Sequence, residues 1–531
     1  MAALFYFSRH KNSSIVILSS FSAISIFNTQ FGILKNLSTF AAVFKMEKIM
    51  KFRRLASKMV LTAAAVLSVL TANAEGYQIN SQSARQWGMA HTGTALKLGA
   101  ESMLFNPAGL SYMNSKFDIS FGTIAISSKV KFEQGDYNHQ TDNPLSTPVF
   151  GHIGYKPCEN LAFGVNLTNP AGNSLVWGDN WAGATMIQNV SLKAFSVQPT
   201  VSYKIADVVS VGAGLMIDFG SFAQRKGLVA ANAFNGLGTL AGQLSSMMPS
   251  LGALPGAIQS FNNQIPVGIQ LEGSSKVAYG FNVGILVNVS PKVTIGATYR
   301  SKMKLSVEGG QANLEYANDN AKTVVEAIKS FDTTPLKNLE AAGMLPAGTT
   351  ATLQGTQTQL ATMGMLDGTE FSASMPIPSI FSAGITYTPT EKWTLTGEAQ
   401  FTGWSAYDKL DITFKTIAGD YLQSSEKNYK NTVAVRLGAE RIISDFFTVR
   451  AGVYMDTPPV QMDNYNPETP SANSYGITAG ATLNPTKFLA VDLAVGYLRG
   501  EKTTGSYDNG SFVADYTKSA IMPGLGLRFK F

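Results

Sequence analysis

The chain has 531 residues, 45% of them hydrophobic but only 14% charged, well under the roughly 25% of soluble domains. Past residue 75 no run approaches the roughly 20 consecutive apolar residues of a membrane-crossing helix, which excludes a helical-bundle membrane protein. The net charge of +6 sits in the first 74 residues, with nine Lys or Arg against one Glu; the remainder holds 32 basic and 34 acidic residues, which excludes nucleic acid as an expected partner.

Taken from the N-terminus, Lys51, Arg53, Arg54 and Lys58 precede the apolar run Met59–Leu70, and Ala72-Asn73-Ala74 follows it. A basic region, an apolar core and an A-x-A site read as a secretory signal cleaved before Glu75. Translation is expected to start at Met46 or Met50, so that 46–74 is the signal peptide and 1–45 an upstream extension or a misassigned start. No Cys follows the cut closely enough to carry a lipid anchor, and Cys158 as the sole cysteine excludes an intramolecular disulfide.

Residues 75–114 are rich in Gly and Ala and do not alternate. They read as a plug, because a wide barrel has a lumen that such a segment can fill. Alternation begins after them. Val209, Val211, Ala213, Leu215, Ile217 and Phe219 are interleaved with Ser210, Gly212, Gly214, Met216 and Asp218. The stretches 195–203, 293–300, 432–439 and 448–455 repeat the pattern, as does the C-terminal Gly524–Phe531. A period of two with one greasy and one polar face describes strands set between lipid and a polar interior.

Two kinds of connection join these strands. Short turns fall at 156–160, 204–207, 289–292, 388–391, 443–445 and 484–487, with Tyr155, Tyr203, Tyr387, Trp393 and Phe488 beside them as an interfacial girdle. Long loops fall at 132–147, 169–187, 224–269, 310–369, 416–427, 456–472 and 502–512. Six turns alternating with seven loops imply fourteen strands, with both barrel ends on the short-turn side. The expected fold is therefore all-β: a 14-stranded antiparallel transmembrane β-barrel over 115–531, with an N-terminal plug or hatch over 75–114 and helical extracellular loops.

Within 224–269, Phe234, Leu237, Leu240, Leu244, Met247, Met248 and Leu251 recur at helical spacing, and Val324, Val325, Ile328 and Phe331 do so within 310–369. Such faces either pack on each other or form a greasy groove that collects apolar ligands. Alternation turns Arg300, Lys302, Lys304, Glu398, Arg436, Glu440, Arg450 and Asp492 inward. Glu398, Arg436, Glu440 and Arg450 read as an ion network holding hatch to wall. Arg300 first, then Lys302, is the candidate to receive a ligand carboxylate by charge-assisted hydrogen bonding. The four histidines are scattered, so no metal or catalytic site is expected, and no phosphate-binding Gly-rich motif points to a nucleotide or other cofactor.

Several ordered pieces resemble the FadL-type outer-membrane transporters of long-chain fatty acids and aromatic hydrocarbons: Phe105-Asn106-Pro107-Ala108-Gly109-Leu110, Gln198–Tyr203, Ser210–Gly214, Val293–Arg300, Gly403-Trp404-Ser405, Leu437–Glu440 and Val449–Gly452. The resemblance runs from Gly76 to Phe531. It implies a hatch carrying Asn106-Pro107-Ala108, ligand held first at the two helical loops and then in the lumen beside the hatch, and sideways exit where the third strand bends inward. In this chain Asn169-Pro170-Ala171-Gly172 continues strand three, and Pro170 lacks the N–H that pairing needs. The expected activity is passive transport of hydrophobic small molecules across the bacterial outer membrane. The expected partners are that ligand, outer-membrane lipid and the outer-membrane assembly machinery, for which Phe531 would be the tag. The rival readings are a surface adhesin or structural barrel, and an outer-membrane phospholipase, which would need a Ser–His pair on neighbouring strands around His152.

Overall fold

The computed structural model describes residues 76–507, 510 and 512–531; the expected extension, signal peptide and cleavage site lie outside them. Fourteen strands form the wall: β1 (Phe117–Ile124), β2 (Val149–Cys158), β3 (Leu161–Thr168), β4 (Asn189–Ile205), β5 (Val209–Gly227), β6 (Ala278–Ser290), β7 (Val293–Arg300), β8 (Ile380–Thr390), β9 (Trp393–Thr402), β10 (Thr432–Ile442), β11 (Phe447–Asp456), β12 (Ser474–Leu483), β13 (Leu489–Gly500) and β14 (Phe512–Lys530). Each pairs antiparallel with its chain neighbours. The ring closes where Asp118–Ile124 of β1 meet Lys530–Gly524 of β14. All six short turns fall between wall strands, and no described helix is long and apolar enough to cross a membrane.

The side chains sort as the period of two requires. Leu525, Leu493, Ile477, Val453, Leu437 and Ile285 stand on the outer surface, whereas Ser202, Asn282, Thr298, Arg436, Thr478 and Asp492 are buried in the interior. β5 and β14, at 19 residues each, exceed the 9–11 that a tilted strand needs to span a bilayer. The wall thus continues outward beyond the membrane, where further strand segments such as Val267–Ser274, Met303–Tyr316 and Thr369–Ile377 extend it.

Residues 76–113 fill the end of the lumen nearest the short turns. Several of the inward wall positions that face them are glycines: a Cβ on Gly212 would overlap Pro107, one on Gly284 would overlap Asn106, and one on Gly452 would lie 2.5 Å from the Ala90 nitrogen. At these positions the lack of a side chain lets hatch backbone touch wall backbone. The opposite end of the lumen is packed with apolar side chains, among them Phe132, Trp177, Trp181, Phe371, Phe414 and Tyr465. Trp177 and Trp181 stack with ring centroids 4.4 Å apart.

One sequence expectation fails here. Simple alternation from Arg300 turns Lys302 and Lys304 inward, but both are exposed, and Met303, Leu305 and Val307 are buried instead. An irregularity at 301–302 inserts one residue and reverses the phase. Matching ones fall at 276–277, between the segment ending at Ser274 and β6, and at 378–379, between the segment ending at Ile377 and β8. A one-residue shift exchanges the faces of everything beyond it.

Candidate transport route

Three small cavities of about 20 Å3 each lie in the lumen and share lining residues in turn. The first is bounded by Leu192, Phe222, Leu305, Val307, Met375 and Leu410. The middle one shares Leu192, Phe222, Met375 and Leu410 and adds Tyr77, Gln224 and Glu468. The innermost meets it at Tyr77 and lies among Pro170, Ala171, Met216, Arg300, Met303 and Trp404. Each has room for little more than one water, so side chains pinch the route. Tyr77 makes the main pinch: its hydroxyl donates to the Pro376 carbonyl, and its ring meets Trp404 edge-on at 4.7 Å.

Beside the innermost cavity the wall is interrupted. β3 pairs with β2 up to Leu167 and with β4 up to Thr168. After the break, Gly172–Val176 resumes pairing with β4 and has no ladder with β2. In between, the hatch takes the free edge. Gln78 bridges Ala171, the Gly172 N–H donates to the Tyr77 carbonyl at 2.9 Å, and the Ile79 N–H donates to the Pro170 carbonyl at 3.3 Å. Gln82 clamps Asn169, its amide donating to the Asn169 carbonyl at 2.5 Å and its oxygen accepting from the Asn169 N–H at 2.9 Å. Pro170 stands where a wall strand would need an N–H, so the interruption follows from residue chemistry.

Of the two candidate cations, Arg300 borders the innermost cavity and donates to the Leu104 carbonyl of the hatch. Lys302 stands outside. Near Arg300 the wall carries Asp218, fully buried on β5 opposite Ser196. The alternation contained Asp218 without marking it, because one acid in a strand has no periodic signature.

The candidate ion network divides in two. Arg436 lies 3.8 Å from both Glu398 and Asp456 and donates to Gln400 at 3.1 Å. Glu398 in turn accepts from the Gly93 and Thr94 N–H groups at 2.9 and 2.8 Å. Arg450 meets Glu440 at 2.7 Å and Asp492 at 3.7 Å. Arg528 joins Asp492 at 2.5 Å, and Arg85 of the hatch lies 3.6 Å from Glu440. Within the hatch, Asn106 accepts from the Ala108 N–H at 3.1 Å and donates to Thr94, Ile285 and Ala297 carbonyls at 2.8, 3.0 and 3.3 Å. Pro107 is held against Gly212, and the Ala108 carbonyl accepts from Ser202 at 3.0 Å.

The outer helical loops carry Asn235–Leu244 and Leu254–Gln259 in one and Asp319–Ser330, Thr334–Ala341 and Thr349–Gly364 in the other. Phe234, Leu244 and Leu251 are buried against Val324, Val325, Ile328 and Leu353 of the second loop. Leu237, Leu240 and Met248 are partly buried at the edge of that packing, and Met247 is 54% exposed. Another loop, between β11 and β12, carries Glu468 into the middle cavity, where Lys427 pairs with it at 2.7 Å and Gln224 donates to it at 2.5 Å. Burial alone would raise this carboxyl, but Lys427, with Lys226 and Gln224, holds it below the usual carboxylate range.

Residues 64–531 match the model of the outer membrane protein transport protein family (OMPP1/FadL/TodX). The chain belongs to this family. It is therefore an outer-membrane transport protein, and its barrel sits in the bacterial outer membrane. A long-chain fatty acid transport protein of Salmonella typhi is 24% identical over 488 residues, spanning 91% of this chain and 100% of that one. Outer membrane protein P1 of Haemophilus influenzae is 20% identical, over 90% and 99% of the two chains. Among solved structures, a FadL homologue of Pseudomonas aeruginosa superposes with a TM-score of 0.65 at 18% identity, over 86% of this chain and 100% of its own. The toluene transporter TodX of Pseudomonas putida gives 0.58 at 13% identity, over 86% and 100%. These likenesses confirm the fold.

Proposed function

We propose that this protein carries long-chain fatty acids or comparable hydrophobic molecules passively inward across the outer membrane. Ligand is first collected at the edge of the helical loops around Leu237, Leu240, Met247 and Met248, next to the packed Phe234, Leu244 and Leu251. It then passes the three cavities and leaves sideways at the break in β3. The observation that carries this reading is the innermost cavity, which joins an apolar lining, the Arg300 guanidinium and the wall edge at Pro170–Ala171 that the hatch, and no neighbouring wall strand, covers. The names of the relatives support the ligand class. An adhesin has no use for such a route.

The reading contains no chemical step and no cofactor. Ser120 does lie opposite His152 on neighbouring strands, but neither ring nitrogen of His152 bonds to it, so no proton relay links them. The test is uptake of a long-chain acid by cells lacking their own transporter, with mass spectrometry of molecules extracted from the purified barrel. Tyr77→Ala, which removes the pinch between the middle and innermost cavities, should raise uptake several-fold. A barrel that extracts clean of lipid and gives no uptake in either form would end the transport reading.

A further inference from the structure

The wall has another interruption, away from β3. Between β6 and β7 the ladder runs from Ser290 and Val293 up to Asn282 and Arg300. It resumes only at the Ser275–Val307 bridge and the Glu272–Gln311 pair. At the two edges, the Ser301 N–H donates to the Phe281 carbonyl at 2.9 Å and the Lys276 N–H to the Ser306 carbonyl at 2.8 Å. Between those edges no ladder pair joins Val277–Gly280 to Lys302–Leu305. Each side is nevertheless firmly held by its other neighbour. Ala278–Phe281 pair with Asp218–Leu215 of β5, and Met303–Leu305 pair with Ile377–Met375. The gap is therefore a local slit in a continuous wall, produced by the phase reversals at 276–277 and 301–302.

Two side chains close it. A Cβ placed on Gly280 would lie 2.5 Å from the Met303 sulfur, 2.6 Å from its Cγ and 2.7 Å from the Ser301 Oγ. Ser301 is tied down, its hydroxyl accepting from the Phe281 N–H at 2.9 Å, which leaves the Met303 thioether as the part free to move. At the neighbouring irregularity, after β9 ends at Thr402, the chain instead carries the buried rings of Trp404 and Tyr407. Methionine is unbranched, and moving it breaks no hydrogen bond. Behind it lie two of the route's cavities, the first bordered by Ser275, Leu305 and Val307 and the innermost by Arg300, Ser301 and Met303. In front of it stand Tyr279, 68% exposed, and Val277, with Lys302 and Lys304 exposed on the same outer face. Met303 is the eleventh residue from the start of β7, where a spanning strand reaches the outer membrane interface.

We propose that this slit is a lateral entry port, gated by Met303, through which amphipathic acids dissolved in the outer leaflet pass directly into the lumen. An acid in a leaflet keeps its carboxylate at the interface and its tail in the hydrocarbon. Lys302 and Lys304 stand at that depth to receive the carboxylate, and the slit beside them admits the tail. Arg300, two residues from Lys302 along the same chain, takes the carboxylate next. The port rests on the transport reading, adding a membrane entrance to the aqueous one at the loops.

Accessibility and uptake test it in two steps. In a Cys158→Ser background in lipid nanodiscs, Met303→Cys and Ile377→Cys, adjacent partners on the innermost cavity, are each treated with a maleimide borne on a lipid-confined acyl chain. Entry through the slit makes the Met303→Cys thiol react at least tenfold faster. Equal rates, or no reaction at either site, overturn the port. The double variant Gly280→Cys, Met303→Cys brings two Cβ atoms within reach of the roughly 3.8 Å that a disulfide needs. Its oxidation should lower the ratio of uptake from acid-loaded vesicles to uptake from acid on albumin by about tenfold, and reduction should restore it. An unchanged ratio overturns the port while leaving transport intact; absence of uptake by the parent chain in both deliveries is instead the failure of the transport reading.

Discussion

Arg300 owes its place to two neighbours, the Leu104 carbonyl that accepts from it and the phase reversal that turns the next cation outward. A guanidinium on the wall of an apolar cavity contributes most to ligands that carry a carboxylate, where a charge-assisted hydrogen bond is worth about 1.5–3 kcal/mol. Arg300→Ala should therefore weaken binding of a long-chain acid by roughly ten- to a hundred-fold and leave a neutral hydrocarbon nearly unaffected, with Arg300→Lys intermediate. Binding titrations with the two ligand types check this, and equal losses would assign Arg300 to holding the hatch alone. The sequence offered Lys302 as a second candidate because alternation was carried straight through 301–302. Beyond 302 the apolar Met303, Leu305 and Val307 still alternate with Lys302, Lys304 and Ser306, and a period-two pattern does not say that the apolar face has changed from the outside of the wall to the inside. Asp218 and Tyr77 escaped for the related reason that a single acid or aromatic has meaning only beside its spatial neighbours.

At the scale of elements, the loops do more than cap the barrel. The segment between β11 and β12 turns inward, and its Glu468 is held in the middle cavity by Lys427 and Gln224. Because the folded carboxyl sits below the roughly 4.3 of a free glutamate, the pair stabilises the loop above that pH. The contribution is lost as acid protonates Glu468 on the way down. Hydrogen exchange of 457–473, corrected for intrinsic rates, should stay protected from pH 7 to 5 and loosen below about 4. Lys427→Met removes the larger opposing charge: only Lys226 and Gln224 then counter the rise that burial imposes on the carboxyl, so protection at pH 7 should be poorer than in the parent and should improve on mild acidification. A variant with the parent's profile would show that the pair does not hold the loop. The existence of this loop was legible from its length. Its inward turn was not, since Glu468 lies among Asn, Pro and Thr with no periodicity. The apolar faces of the helical loops were legible, and most of each is used in packing one loop on the other, with Met247 left outside that packing.

At the scale of the molecule, the fourteen strands were readable because two signals coincide, greasy alternation and the sorting of connections by length. The hatch was readable only as a segment that breaks the pattern; its fit depends on inward glycines such as Gly212 and Gly284, whose role appears once Asn106 and Pro107 lie against them. Closure rests on the last residue. The Phe531 N–H donates to the Phe117 carbonyl and the Phe117 N–H to the Phe531 carbonyl, both at 3.0 Å, while the Phe531 ring is 63% exposed toward lipid. These two hydrogen bonds complete the seam that begins with Asp118 and Lys530. Once the other pairs of that seam are formed, losing two bonds costs only about 1–3 kcal/mol, which a closed barrel of this size tolerates. Before the rest of the seam exists these two bonds are a larger share of what joins β14 to β1, so their loss weighs more on closure than on the closed barrel. Deleting Phe531 should thus lower the amount of heat-modifiable barrel in the outer membrane several-fold, while the fraction that does insert binds ligand with parental affinity. Normal insertion with weakened binding would place the role of Phe531 in the route instead of in closure.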